Sequence, residues 1–152
     1  MSVSFFGLDF KQIRHTPHGS FPRRIHLHDD PQEDITDPRN VNLANPNARA
    51  FLVFLRLQDA GEDLYGNVPI PEVRRAIMRA RATFHQRAHA FVRRCEIIHG
   101  KPGVNEDGSV ELRPVRVWVG GIDEEYLMRQ LDRLGVLVGE LAERGATHLG
   151  WG

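Results

Sequence analysis

PEVRRAIMRARATFHQRAHAFVRRCEIIHG, residues 71–100, is the stretch on which the fold is read. Val73, Ile77, Ala80, Phe84, Ala88, Phe91, Cys95 and Ile98 recur at steps of three and four. At about 100° per residue they fall on one side of a helix. Pro71 suits a first helical position, where a missing N–H costs nothing, and Gly100 suits a stop. The spacing predicts one long amphipathic helix from Pro71 to Gly100. Its stripe is expected to rest on a small sheet that includes Val115 to Val119.

C-terminal to this stretch, Lys101 to Ser109 reads as a polar turn and Val110 to Val119 as a strand. Val115, Val117 and Val119 would share one face, and Arg116 and Trp118 the other, with Pro114 marking an edge or a bulge. Asp123 is an N-cap candidate for a further helix to about Arg144, with Leu127, Leu131, Leu134, Val138 and Leu141 as its core stripe. Gly145 closes it, and the tail to Gly152 is expected to add a short strand that tucks Trp151 in. N-terminal to the stretch, Asp59 to Pro71 reads as a connector. Asn45 is the expected cap, and Pro46 the first residue, of a helix over Ala48 to Leu57 that is apolar nearly all round. Asp29 to Arg39 is an acidic, proline-bearing loop. Val3 to Phe10 and Phe21 to His28 read as strands joined by a hairpin-like return through Thr16, Pro17, Gly19 and Ser20. The expected class is α+β: a small, mostly antiparallel sheet packed with three helices, two of them long and amphipathic. One domain over 1–152 is expected, with a β-rich segment over 1–40 and a helical core with one strand over 41–152.

A chain of 152 residues buries roughly 70% of its unfolded surface and needs no staples. Its 20 basic and 20 acidic residues cancel, which argues against a general nucleic-acid coat protein. Lysine occurs only at Lys11 and Lys101, so the cations are nearly all arginines, which suit planar and phosphate partners. The single cysteine, Cys95, allows no intrachain disulfide. The N-terminus does not read as a signal peptide, and no run approaches the ~20 apolar residues of a membrane span. The expected location is the cytoplasm.

Four features recur together: the run Asn42-Leu43-Ala44-Asn45-Pro46-Asn47-Ala48-Arg49, the turn Leu64-Tyr65-Gly66-Asn67-Val68-Pro69, Tyr126-Leu127 with Leu131 and Leu134, and the terminal Trp151-Gly152. In these the chain resembles a group of short uncharacterised actinobacterial and phage proteins. The resemblance implies a bacterial or phage setting and carries over no residue role.

Two constellations hold the chemistry. The first is the arginine set of residues 71–100. Arg74 and Arg81 flank one side of the apolar stripe, Arg87 and Arg94 the other, and Arg75, Arg79 and Arg93 lie behind. Such charges commonly only solvate a helix. Alternatively one flank holds a phosphate or carboxylate, with Arg74, Arg81 and Arg116 on the charge and Trp118 stacking on a base. The acidic loop competes as a partner for the same arginines. The second constellation is histidine. His85 and His89 stand four apart, as metal ligands on a helix do, and His26 and His28 are the candidates to complete a zinc set. Two functions of different class follow. One is a non-enzymatic binding protein, expected to be a homo-oligomer, that captures a small anionic ligand such as a nucleotide signal, or a partner protein. The other is a metal-dependent hydrolase using the histidines. Gly135 and Gly139 motivate the oligomer, because two glycines in a helix interior invite close approach of another element.

Overall fold

The computed structural model describes residues 2–27, 41–59, 63–88, 94–119 and 123–152. The class is α+β, with an antiparallel five-stranded sheet, a separate two-stranded sheet and four helices.

Strand β1 (Ser2–Thr16) organises the main sheet. It turns through Pro17 and His18 into β2 (Gly19–Ile25), with Thr16 paired to Gly19. Its N-terminal end pairs with β3 (Asn42–Ala44), Val3 opposite Leu43. The tail strand β7 (His148–Trp151) takes the other edge, Phe5 opposite Trp151, and β4 (Gly66–Pro69) pairs with β7 on its outer side. The order is β2-β1-β7-β4, with β3 beside β1. The alternation of Val3, Phe5, Gly7 and Asp9 turns these four residues inward, and all four are buried.

Helix α1 (Asn45–Leu55) buries Ala48, Phe51, Leu52, Phe54 and Leu55. Its cap is Ala44, one residue earlier than expected, and Pro46 stands second. Helix α4 (Glu124–Glu143) begins as expected: the Asp123 carboxylate accepts from the Tyr126 N–H at 2.9 Å. It ends on Gly145, whose φ is +89°. There the Gly145 N–H reaches Ala142 O and the Ala146 N–H reaches Leu141 O, the paired bonds of a glycine-terminated helix.

The long helix expected over Pro71 to Gly100 is replaced by three elements. Helix α2 runs Ile70–Ala82, α3 is a single turn at Phe84–Arg87, and β5 covers Arg94–Val104. The break falls at Thr83, whose hydroxyl donates back to Arg79 O at 2.8 Å and whose ψ of 16° has left the helix. Beyond it, β5 pairs antiparallel with β6 (Val110–Val119). Cys95 and Ile98 satisfy helical spacing, but the β-branched run of Val115, Val117 and Val119 offers a ladder that a helix there would forgo. The expected sheet under Phe84 is also corrected. β5 and β6 form their own two-stranded sheet and contact chiefly each other, whereas α2 packs on α1, α4, β4 and β7. Phe84 meets Phe54 edge-on, with ring centroids 5.9 Å apart. Among the described residues the segment after residue 41 carries five strands, of which β6 and the tail strand β7 were expected.

The core lies between the inner sheet face and the helices. It comprises Phe51, Phe54, Leu127, Leu131, Leu134, Leu141 and Leu149, with Trp151 closing the end. The Trp151 indole N–H donates to Gln58 Oε1 at 3.1 Å. Gly66 beneath it is required by space: a Cβ there would stand 2.7 Å from the indole. No helix of the described residues is long and apolar enough to cross a membrane.

Candidate anion-binding site

Helix α1 ends without glycine. Arg56 enters the left-handed region at φ 58°, and its N–H and that of Leu57 return to Val53 O and Leu52 O. A side chain in that conformation costs about 1–2 kcal/mol, and the price places an exposed guanidinium at the helix end. Arg87, from α3, reaches the same end. Its Nη2 donates to Phe54 O at 2.6 Å, and its Cζ stands 5.2 Å from the Phe54 ring centroid. A helix C-terminus carries uncapped carbonyls and roughly half a negative charge, so a cation is at home there.

Two cations, Arg56 and Arg87, stand at this end, and the charge of Arg79 on α2 acts on it as well. The Arg87 guanidinium is held below its ordinary pKa by burial first, then by the charges of Arg56 and Arg79. Among the described residues no carboxylate pairs with Arg56, Arg79 or Arg87. Set against the helix end, Arg56 and Arg87 leave a balance of about +1.5 charges, which Arg79 raises from α2. That is matched to a phosphate monoester, which carries about −1.5 to −2 near neutral pH.

The residues singled out from sequence are placed differently. Arg81 is engaged: its Nη2 lies 2.9 Å from Asp132 Oδ1 and lies across Gly135, where a Cβ would meet it at 3.2 Å. That contact accounts for Gly135 within one chain, while Gly139 has open space around it. Arg74 is exposed on α2, about 10 Å along the axis from Arg81. Arg116 and Trp118 stand opposite Ile97 and Cys95 in the β5–β6 ladder. They are placed by backbone register alone, on a sheet separate from the one beside α2.

Of the histidine set, the two described members, His85 and His26, stand apart. His85 is exposed, with Nδ1 3.9 Å from Glu124 Oε1 at the start of α4. His26 lies by the opposite end, where its carbonyl accepts from Arg144 at 3.3 Å. Twenty residues of helix separate those ends, roughly 30 Å, which no shared ion spans. His28 and His89 lie outside the described residues. Among the described residues no three metal-ligating side chains come together.

Sequence reasoning put Arg79 on the back of the helix and left Arg56 aside. The available signal was negative: an apolar helix ending at Leu55 with no glycine to stop it, so that an arginine makes the turn. A search of protein-family models, of curated proteins and of solved structures finds no match to this chain.

Proposed function

We propose that this chain is a non-enzymatic binding protein that captures a small phosphate-bearing ligand, of which a nucleotide signal is the best-matched class. The observation that carries the reading is Arg87 fixed on Phe54 O beside the Arg56 cap at the end of α1, with the charge of Arg79 also acting on it and no carboxylate paired with any of the three among the described residues. Arg87 is oriented by its bond to Phe54 O, so a ligand meets one ordered guanidinium and two that close on it. Arg74 would extend the site along α2. Association through the open surface at Gly139 and the exposed Val136 belongs to the same reading, since a symmetric pair would present two such sites.

Calorimetry with mono-, di- and cyclic nucleotides at low and high salt is the test. Binding should weaken as salt rises, because exposed charges are screened. Arg56→Gly is the decisive variant. It relieves the left-handed strain, so the fold should gain about 1 kcal/mol, while binding should fall roughly ten- to a hundredfold with one charge-assisted bond lost. Native protein that binds no member of the panel, or Arg56→Gly and Arg79→Ala proteins that bind unchanged, would remove the reading.

A further inference from the structure

The charge of this chain is segregated in a way its neutral total conceals. Phe10 to Leu27 contains Lys11, Arg14, Arg23 and Arg24 with three histidines and no carboxylate. In the structure these residues form a ribbon. β1 beyond Asp9 pairs with β2 alone, and its residues 10–15 are exposed on both faces, as are Gly19, Ser20 and Phe21 of β2. The register shifts between Asp9 and Ile13, the kind of irregularity that bends and twists a ribbon away from its sheet. Phe10, Ile13 and Phe21 are 40%, 43% and 53% exposed. None of the four cations pairs with a carboxylate among the described residues; Arg23 instead donates to Gln12 Oε1 at 2.8 Å. At its root, the Arg24 guanidinium lies 3.5 Å over the Phe6 ring, and the Phe10 and His148 rings stand 4.3 Å apart. Strand alternation and the Leu8–Arg24 and Leu8–His148 pairs put Phe6, Phe10, Arg24 and His148 on the outer sheet face.

We propose that the β1–β2 ribbon is an arm that binds single-stranded nucleic acid. The ribbon offers repeated positive charge beside accessible aromatic faces, which is what a strand of phosphates with unstacked bases takes up. Three of its four cations are arginines, which hold phosphate bidentately and stack on bases. Seven residues from Phe10 to Thr16 span about 20 Å, enough to follow several phosphates of an extended strand. A duplex satisfies the charges but keeps its bases stacked away from Phe10 and Phe21, so the single strand is the partner selected. This is a local arm, which a neutral total permits, and not a general coat.

The experiment is fluorescence anisotropy of the full chain with a labelled thymidine oligomer of about 20 nucleotides, the matching duplex, and vesicles rich in phosphatidylserine. The oligomer should bind, and with four cations engaged the affinity should fall about 50-fold between about 50 and 200 mM salt. R14A/R23A should flatten that dependence by about half. F21A should weaken binding five- to 150-fold with the salt slope unchanged, since stacking is worth about 1–3 kcal/mol per base. Both variants change exposed side chains, so an unaltered melting temperature shows the fold intact. R56A/R79A should bind the oligomer like the native chain, which separates the arm from the site at the end of α1. The proposal is overturned by no oligomer binding at low salt, by tighter binding of duplex, by binding of vesicles alone, or by loss of binding in R56A/R79A with the ribbon variants unaffected.

Discussion

The two halves of β1 belong to one continuous strand and live in different surroundings. From Val3 to Asp9 the strand is flanked on both edges and its inner side chains are buried under the helices. From Phe10 onward it has β2 as its one strand neighbour among the described residues, and its residues 10–15 are exposed. The first half therefore repays the entropy of ordering it with apolar burial, at about 25 cal/mol per Å². The second half gains little from burial, and a lone two-stranded hairpin is marginal in water. Phe5 and Phe10 show the contrast side by side. Phe5 meets Phe51 edge-on at 6.4 Å and Trp151 at 6.5 Å, whereas Phe10 has only a tilted histidine against an otherwise open face. Phe10, Ile13 and Phe21 stay about half exposed beside cations, and it is on this exposed surface that the proposed nucleic-acid arm rests.

The sharpest way to break this contrast is a matched pair of substitutions. Phe5→Ala should cost about 3–5 kcal/mol in urea unfolding, and Ile13→Ala less than about 1 kcal/mol. Equal costs would mean that the distal ribbon is covered after all. A second substitution asks how tightly the base is closed around the tail strand. Gly66→Ala sets a methyl against an indole that Gln58 already holds, so overpacking should cost about 1–3 kcal/mol. An unchanged unfolding midpoint would show that Trp151 yields.

The smallest effect concerns His26 at the foot of the ribbon. Partial burial, which crowds water away from the ring, and then the charge of Arg24 lower its pKa. The unfolded chain therefore takes up this proton first as pH falls below about 6.5, and stability declines from there down to the lower folded value. His26 is largely exposed, so the contribution is modest. His26→Gln should reduce the loss of urea resistance between about pH 7.5 and pH 5, and a titration by nuclear magnetic resonance should place the native imidazole below its ordinary value. An ordinary or raised value would contradict the crowding.

Sequence alone determined the features written in short-range chemistry. The strand over Val3 to Phe10, the return through Thr16 to Ser20, the Asp123 cap, the Gly145 stop and the leucine stripe of α4 each depend on near neighbours in the chain, and each stands where the pattern places it. The buried Trp151 belongs with them, anticipated from an apolar tail. What tertiary structure decided were choices between local patterns of similar strength. Residues 94–98 fit a helical stripe as well as a strand, and pairing with Val115 to Val119 made them a strand. Asn42–Ala44 and Gly66–Pro69 are too short to declare themselves and become strands because β1 and β7 offer open edges. The arginines show the same division. Composition announced that the chain would carry guanidiniums rather than ammonium groups. Which of them meet a carboxylate, as Arg81 meets Asp132, and which feel one another's charge, as Arg87 feels Arg56 and Arg79, depends on helix ends and crossings that bring distant residues into range. Electrostatic interaction falls with distance in space, and spacing along the sequence does not specify that distance.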